Sequence, residues 1–330
     1  MNPPRQRELG RGERVLPGIW RLRLPLPWPG VPHCNAWALA APDGIVLVDT
    51  GMHEPGSLAH LERAMHMVNL RIEHVRLLVV THAHADHFGQ AATIVEQASC
   101  EVWMNPNLAH ARAHADDPDA ALQRRIEVAR QSGVPAEPLR AFEERRKSQG
   151  SGVAGWVEPD RDAVAGVTFE TDHGRWSVLE TPGHAPSHIC LHQPERRLLL
   201  SGDHLLGRVS LYFDYGYTPD PVGEFLGSLD TVEGLGARLA LSGHGRPFAD
   251  VKEHIDANRR LVGQRLDAVR AALQDGPSTA FDLLPAVYGD GFDREMAGWL
   301  LTKVLCYLTH LEALGAVERL QGEPERWATL

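Results

Sequence analysis

A run of seven residues that begins at Thr81 holds three histidines and one aspartate, directly after an apolar stretch typical of a buried strand. Neutral imidazoles and carboxylates are common protein ligands of zinc and similar divalent ions. Alternate residues of an extended segment point the same way, so His82, His84 and Asp86 can converge. Small alanines between them let the chain turn until His87 also reaches inward. The run therefore predicts a metal site.

Three later segments repeat this arrangement of a short apolar strand, a glycine and one residue of ligand type. They are Thr181-Pro182-Gly183-His184, Ser201-Gly202-Asp203-His204 and Leu241-Ser242-Gly243-His244-Gly245. Glycine lets the backbone turn at the carboxyl end of each strand. One such residue alone would be read as a helix cap or a hydrogen-bonded core group. The repetition favours metal ligation by His184, Asp203 and His244.

Composition restricts the class of protein. The 330 residues are 43% hydrophobic and 23% charged, as in a soluble globular protein with one large core or two domains. A formal net charge of −10 argues against a surface that attracts nucleic acid as a whole. The apolar stretches are too short to span a bilayer, and the first eight residues lack a signal-peptide core, so we expect a cytoplasmic protein without membrane contact. Scattered cysteines without a C-x-x-C pair predict buried, reduced thiols.

The first hundred residues are β-rich and then βαβ-like. Hydrophobic patterning predicts strands at 19–26 and 36–40, a buried strand ending in a turn at 44–51, and helices at 57–70 and 88–98. Residues 105–162 then interrupt the rhythm, with helical patterns at 119–131 and 137–147. An interruption this long predicts a functional insertion such as a lid. Its His110 and His114 could bind metal, although a solvated helix face explains their spacing equally well.

A second β-rich half spans 164–250, so the candidate ligands come from both halves and should meet between two packed sheets. The chain then changes character, with predicted helices at 251–275, 279–288 and 294–314 and a hairpin that pairs 316–320 with 326–328. This order predicts a winged helix. We therefore divide the chain into an N-terminal extension (1–14), a main domain (15–255) and a winged-helix-like domain (256–330).

Taken in order, these motifs resemble the metallo-β-lactamase superfamily, and specifically its β-lactamase-like branch with a C-terminal winged helix. The resemblance covers roughly residues 15–250 and includes the strand-terminal segment Leu47-Val48-Asp49-Thr50-Gly51 as well as the four motifs above. It implies a fold of the α+β class, a four-layer αβ/βα sandwich of two similar halves, here followed by an α-rich winged-helix-like domain.

The resemblance also implies two adjacent divalent ions, with Zn²⁺ favoured and Mn²⁺ or Fe²⁺ accepted by the same donors. One ion would be bound by His82, His84 and His184, and the other by Asp86, His87 and His244, while Asp203 would bridge them. Asp49 would orient a ligand without binding metal, unless it is only a turn carboxylate. His188 would contact substrate, support a ligand, or simply pack.

Two ions that share a hydroxide supply a nucleophile at neutral pH, with Asp86 or Asp203 as the catalytic proton carrier. We therefore predict a dinuclear metal-dependent hydrolase that acts on a small-molecule ester, thioester or lactone. Nearby apolar and aromatic side chains could line the substrate pocket, and one of the tyrosines could donate to the developing oxyanion. These side chains are Leu205, Leu206, Leu211, Tyr212, Phe213, Tyr215 and Tyr217.

Several alternatives stay open at the level of sequence. A single-strand endoribonuclease or other phosphodiesterase, guided by the winged helix, is the main one, and a ligand sensor with a DNA-binding tail is another. Residues 256–330 hold eight Lys/Arg against eleven Asp/Glu, a net charge of −3 that disfavours phosphate binding. A structural cap, a homodimer contact or a wall of the cleft suits this tail better. A diiron redox site is disfavoured because His84 stands where a glutamate would be needed, whereas a single-iron persulfide dioxygenase is compatible with the ligands.

Overall fold

The computed structural model of the chain describes residues 9–28, 30–147, 150–292 and 297–330. The strands in these residues are, in chain order, β1 (Arg11–Leu16), β2 (Ile19–Trp28), β3 (Val31–Ala41), β4 (Gly44–Val48), β5 (Val75–Val79), β6 (Glu101–Met104), β7 (Arg161–Asp162), β8 (Thr168–Thr171), β9 (Gly174–Glu180), β10 (Ile189–Gln193), β11 (Leu198–Gly202), β12 (Leu239–Ser242), β13 (Val317–Leu320) and β14 (Arg326–Thr329).

The helices, numbered in the same way, alternate with the strands and follow them at the end of the chain. They are α1 (Ser57–His66), α2 (Ala85–Phe88), α3 (Ala91–Ala98), α4 (Ala109–Asp116), α5 (Pro118–Gln131), α6 (Ala136–Lys147), α7 (Pro221–Gly234), α8 (Val251–Leu273), α9 (Leu284–Tyr288) and α10 (Ala297–Ala313).

Two large sheets organise the chain. The first has seven strands in the order β1-β2-β3-β4-β5-β6-β7, antiparallel as far as β4 and parallel from β4 to β7. The second has five strands in the order β12-β11-β10-β9-β8, antiparallel except for the parallel pair β11 and β12. Strands β13 and β14 form a separate antiparallel hairpin.

Strand β4 shows how the layers arise from alternation along one strand. Ile45 and Leu47 pack on one face with residues of α1 and α3, whereas Val46 and Val48 pack on the other face against the second sheet. Successive side chains of a strand point to opposite faces, so a strand that is apolar throughout must be covered on both sides. A third core, on the outer face of the second sheet, joins it to α7, α8 and α10. The result is the predicted four-layer α+β sandwich.

Helix α7 was not anticipated within the second half, which the sequence predicted only as β-rich. Asp220 caps this helix by accepting a hydrogen bond from Gly223 N at 2.8 Å, and Pro221 occupies its first turn. Both are ordinary signals of a helix start. Phe225 and Leu229 follow at helical spacing and are buried, so the local pattern was sufficient to find the helix.

Other boundaries also differ from the prediction. The helix predicted at 88–98 is observed as α3, which begins at Ala91, while Phe88 is the last residue of the short helix α2. Gly89 lies between them, so close to the backbones at His53 and Gly152 that a Cβ there would collide with them. Of the residues predicted to be helical at 279–288, only those of α9 form an α-helix. Strand β1 begins at Arg11, inside the span assigned to the extension, while residues 1–8 lie outside the described residues.

The C-terminal elements occur in the predicted order, three helices followed by a hairpin. Residues 293–296, at the predicted start of the third helix, lie outside the described residues. Buried side chains of α8 and α10, such as Val262 and Leu308, share one core with Phe225 of α7. Helix α8 also runs through residue 255, where the sequence placed a domain boundary. The winged-helix designation and the domain division remain predictions.

Two further expectations can be compared with the structure. Among the described residues, no helix combines the length and the apolar character needed to cross a bilayer. The four cysteines are free and buried, as predicted.

Candidate metal centre

The predicted site residues follow strand ends that lie at one edge of the sandwich. His82 follows β5 and His184 follows β9, while Asp203 follows β11 and His244 follows β12. Asp49 follows β4 in the same way. Strands that run in one direction deliver the residues at their carboxyl ends to a common edge. The structure therefore brings together residues that are up to about 195 positions apart in the chain.

One group consists of His82, His84 and His184, whose ring nitrogens lie within 4.8 Å of one another. His84 Nδ1 and His184 Nε2 are 3.1 Å apart. Two ligands of a tetrahedral zinc ion with bonds of 2.0–2.1 Å are separated by about 3.4 Å. The spacing of this group is therefore that of ligands to one ion.

A second group consists of Asp86, His87 and His244. His87 Nε2 and His244 Nε2 are 3.4 Å apart, and Asp86 Oδ2 lies 3.5 Å from the first and 3.2 Å from the second. All three side chains are largely buried. This group has the same spacing as the first, but it contains a carboxylate.

Asp203 connects the two groups. Its Oδ2 lies 3.8 Å from His184 Nε2 in the first group and 3.2 Å from His244 Nε2 in the second, and its Oδ1 lies 3.4 Å from His87 Nε2. A Cβ at Gly243 would collide with Asp203 Oδ1 and come within 2.7 Å of His87 Cε1. Glycine is thus needed at this position, because any side chain would enter the space between the donors.

The hydrogen bonds of the outer ring nitrogens show that the donors fit a cation. Thr81 Oγ1 donates to Asp49 and therefore accepts from His82 Nδ1 at 3.0 Å, which leaves His82 Nε2 with a lone pair and no protein partner. His87 Nδ1 donates to Asp49 Oδ2 at 2.8 Å, and His244 Nδ1 donates to a backbone carbonyl at 2.8 Å. In the neutral form of each ring, the nitrogen that faces the centre therefore carries the lone pair that a cation would use.

Asp49 has the orienting role that the resemblance implied. Besides its contact with His87, its carboxylate accepts from the backbone N–H of Thr81 at 2.7 Å. Asp49 is buried and adopts a left-handed backbone conformation with a φ of 63°. Such a conformation is costly for a residue other than glycine and persists where surrounding contacts require it. Asp49 thus holds the first turn of the histidine run in place.

The electrostatics differ between the two groups. Burial lowers the pKa of His82 and of His184, the latter to about 4, and neighbouring imidazoles lower them further. Burial also acts on His244, but Asp203 outweighs it and raises the pKa of His244 to about 10. The pKa of Asp203 is held well below its usual range by His244 and His87, although burial opposes this. The first group therefore contains the uncharged imidazoles of His82 and His184, whereas the raised pKa values of His87 and His244 keep protons on these rings beside the ionised carboxylates of Asp86 and Asp203. A divalent cation, when bound, would displace those protons and take the same donors.

Asp214 is a site residue that sequence reasoning missed. Its Oδ2 lies 2.8 Å from His84 Nε2, so that His84 Nδ1 is the nitrogen directed at His184. Burial would raise the pKa of Asp214, but His84 lowers it and the carboxyl remains ionised. The two residues are 130 positions apart, and Asp214 follows no strand or glycine motif. No local signal could have identified it.

We expect Asp214→Asn to weaken metal binding or lower activity by about 10–100-fold, the usual effect of removing a carboxylate that orients a histidine ligand. The amide keeps the size of the side chain but loses the charge that stabilises the His84 N–H. Metal affinity and kcat/KM should be measured on the same preparation. Asp162→Asn, at an exposed position of β7, is the control. Equal values for the Asp214 and Asp162 variants would contradict this role.

His188 supports Asp203 from behind. Its Nε2 accepts from the backbone N–H of Asp203 at 3.0 Å, so its Nδ1 carries the proton and donates to Thr181 Oγ1 at 2.8 Å. The side chain is 1% exposed. Of the three roles that the sequence left open, support of a ligand is the one that these contacts match. His188 fixes the loop that carries Asp203 and joins it to the end of β9.

His188→Ala should lower the free energy of unfolding by about 2–4 kcal/mol, because it leaves a cavity and a buried N–H without an acceptor. It should also reduce bound metal, since the Asp203 loop loses its anchor. Chemical denaturation and elemental analysis measure the two effects. His66→Ala, at an exposed position at the end of α1, should change stability by less than about 0.5 kcal/mol. Unchanged stability of the His188 variant would contradict the assignment.

The structure agrees only in part with the remaining predictions, which concern the two histidines of the insertion and the substrate pocket. His110 of the insertion is buried, with its ring 6.3 Å from that of His84, but neither it nor His114 belongs to a group that could hold a metal among the described residues. The ring of Tyr212 lies 5.8 Å from His84 and 5.6 Å from His184. The prediction that apolar side chains near the ligands line a substrate pocket is wrong for three of them. Leu205, Leu211 and Phe213 are instead buried in the core on the outer face of the second sheet.

With this geometry established, comparison with known proteins identifies the class. The sequence model of the Metallo-beta-lactamase superfamily matches residues 29–244, and the chain belongs to that superfamily. The metallo-beta-lactamase family protein TTHA1429 from Thermus thermophilus superposes with a TM-score of 0.83 at 28% identity, over 96% of this chain and 100% of that chain. A beta-lactamase domain protein from Burkholderia ambifaria superposes with a TM-score of 0.80 at 26% identity, over 97% and 93%.

Curated relatives are consistent with the same class. The chain is 25% identical over 289 residues to the probable metallo-hydrolase YqjP of Bacillus subtilis. This alignment covers 85% of the chain and 86% of the relative. It is also 25% identical over 185 residues to the atrochrysone carboxyl ACP thioesterase of Aspergillus chevalieri, over 52% of this chain and 57% of the relative. Superfamily membership and the donor set together make the protein a metal-dependent hydrolase.

Proposed function

We propose that the protein hydrolyses an ester, thioester or lactone bond of a small molecule at a centre that holds two divalent cations, with Zn²⁺ as the first candidate. The observation that carries this proposal is the position of Asp203, whose carboxylate lies within 3.8 Å of His184 in one donor group and within 3.2 Å of His244 in the other. A carboxylate shared by two sets of imidazoles suits a pair of adjacent ions better than one ion.

Divalent cations, when bound, make water acidic enough to be a nucleophile at neutral pH and polarise a carbonyl oxygen. The protein's own groups would complete the reaction. Asp86 and Asp203 lie at the centre as ionised carboxylates, so one of them can accept the proton of the attacking water and return it to the leaving oxygen or sulfur. Attack on the carbonyl carbon forms the new C–O bond, and loss of the leaving group breaks the old one.

Tyr212 is suited to assist at the substrate oxygen. Its half-buried ring packs against His84 and His184, and burial raises the pKa of its phenol, with Asp214 contributing in the same direction. The phenol therefore keeps its proton and can donate a hydrogen bond to a developing oxyanion. Tyr217 is 49% exposed and packs against His110, which places it at the rim.

Similarity to a curated thioesterase supports the thioester among the three bond types. The experiment is a panel of acyl thioesters, aryl esters and lactones, assayed after loading with zinc, manganese or iron. We expect turnover of at least one class, lost in His84→Ala and kept in His66→Ala. If no member of the panel is hydrolysed while a labelled single-stranded RNA is cleaved in a His84-dependent manner, the proposal is wrong and the phosphodiesterase alternative replaces it.

A further inference from the structure

The loop between β11 and α7 carries groups of the metal centre but contains no helix or strand. It spans residues 203–220 and includes Asp203, Tyr212 and Asp214. A loop of this length lacks the ladder of backbone hydrogen bonds that fixes a strand or a helix, so its position depends on packing against other elements. Those elements therefore decide how closely Asp214 meets His84.

Successive side chains of this loop point in opposite directions on either side of Phe213. The ring of Tyr212 lies 5.8 Å from that of His84, and Asp214 Oδ2 lies 2.8 Å from His84 Nε2. Phe213, between them, is buried in the core that the second sheet shares with α7, α8 and α10. This is the alternation of an extended chain. A displacement of Phe213 would thus move both neighbours that face the centre.

Helix α10 holds Phe213 in place through two adjacent residues. The ring of Tyr307 lies 6.0 Å from that of Phe213, with the planes at 77°, and aromatic pairs prefer this edge-to-face arrangement. Cys306 Sγ lies 3.9 Å from the carbonyl oxygen of Phe213. Tyr307 and Phe213 are both fully buried or nearly so. Helix α10 therefore contacts the loop directly behind Asp214.

The same helix also fixes the end of the loop. His310 is largely buried, and its Nδ1 lies 2.9 Å from each carboxylate oxygen of Asp220. Asp220 in turn caps α7 by accepting from Gly223 N at 2.8 Å. The loop is thus attached to α10 on both sides of Asp214, at Phe213 and at Asp220.

The N-terminal part of α10 contacts the other half of the sandwich. The ring of Trp299 lies 5.6 Å from that of Trp28, at 87°. Trp28 ends β2, and its hairpin partner β3 carries His33, whose carbonyl accepts from His244 Nδ1 at 2.8 Å. Helix α10 therefore contacts segments that support a ligand of each donor group, His84 in the first and His244 in the second.

We propose that Tyr307 and His310 are positioning residues of the metal centre. They hold the loop between β11 and α7 at two points and so keep Asp214 against His84. The effect on catalysis rests on the proposed function, whereas the effect on metal binding does not. The C-terminal helices are then part of the same functional unit as the metal centre.

The test uses two pairs of variants of the full chain. Tyr307→Leu removes the ring that packs on Phe213, and Tyr307→Phe keeps it; His310→Leu removes the N–H that meets Asp220, and His310→Asn keeps one. Each leucine variant should bind zinc about tenfold more weakly than its partner, the lower end of the effect of losing a group that orients a histidine ligand. Competition with a chromogenic chelator measures the affinity.

A double-mutant cycle separates positioning from a general loss of stability. In an Asp214→Asn background, Tyr307→Leu and His310→Leu should weaken zinc binding by less than about twofold further, because the group through which they act is already impaired. Leu273→Ala, at the last residue of α8 and buried in the same core, is the control. It should lower the stability of the protein and leave its zinc affinity within about twofold of the wild type.

The kinetic readout is kcat/KM for the substrate that the wild type hydrolyses best, which should fall in both leucine variants in parallel with zinc affinity. Equal zinc affinities within each pair, or an equal loss in both backgrounds, would overturn the inference even if hydrolysis is confirmed. If no substrate is hydrolysed, the zinc affinities decide alone. If Tyr307→Leu does not fold, the His310 pair decides in the same two backgrounds.

Discussion

Asp203→Ala is expected to lower kcat/KM by at least about 10³-fold and to lower the metal content of the purified protein. The Asp203 carboxylate is the group that contacts both donor sets, so its removal takes a ligand from each. A bound metal stabilises a transition state by several kcal/mol, and each 1.36 kcal/mol corresponds to a factor of about ten in rate. Steady-state kinetics and elemental analysis of one preparation measure the two effects.

Asp172→Ala is the control for this variant, since Asp172 is an exposed aspartate on the turn between β8 and β9. It should keep both metal and activity. Far-UV circular dichroism must first establish that the Asp203 variant is folded, because removal of one partner of a buried charge pair is destabilising. Full activity of Asp203→Ala, with the usual metal content, would rule out a shared carboxylate as the basis of the mechanism.

Removal of the metal is expected to lower the melting temperature by on the order of 5 °C or more. Ligand at 100 times its Kd stabilises the folded state by about 2.7 kcal/mol for each site, and 1 kcal/mol corresponds to about 2–4 °C in a chain of 150–250 residues. The physical reason is that Asp86 and Asp203 are largely buried anions, each with an oxygen 3.2 Å from His244 Nε2, and a cation offsets their repulsion. Scanning calorimetry with a chelator, followed by stepwise return of zinc, measures the effect.

The same titration counts the ions. Two sites predict that the rise in melting temperature saturates near two equivalents of zinc, whereas a single-iron centre predicts saturation near one. The Asp203→Ala variant should lose most of the rise, and Asp172→Ala should retain all of it. A melting temperature that does not depend on metal in the wild type would argue against cation binding at this centre.

The superfamily and the seven candidate ligands could be predicted from the sequence because their signals are local. The histidine run beginning at Thr81 combines its spacing with a preceding apolar strand, and three later glycine motifs repeat the pattern. The layered fold was predictable for a similar reason, since a strand such as β4, apolar on both faces, must lie between two layers. Helix α7 was also within reach, because its cap at Asp220 and its proline are visible in the sequence.

Other features depended on contacts between residues far apart in the chain. Asp214 orients His84 across 130 positions, and His188 holds the Asp203 loop by a backbone hydrogen bond. Leu205 and Phe213 looked like pocket residues beside a ligand motif, but the packing of α7, α8 and α10 placed them in a core. The role of an acid, a histidine or an apolar side chain depends on its partners, and residue type does not reveal which partners these are.

By itself the sequence determined which side chains could bind a cation and at which strand ends they lie, since a ligand's chemistry and a strand's periodicity are properties of short segments. Only the tertiary structure decided which ring nitrogen of each histidine faces the centre and which residues hold the ligands in place. It also decided that His110 of the insertion packs near His84. These are consequences of distance and burial, which arise when the two sheets pack and bring separate strand ends to one edge.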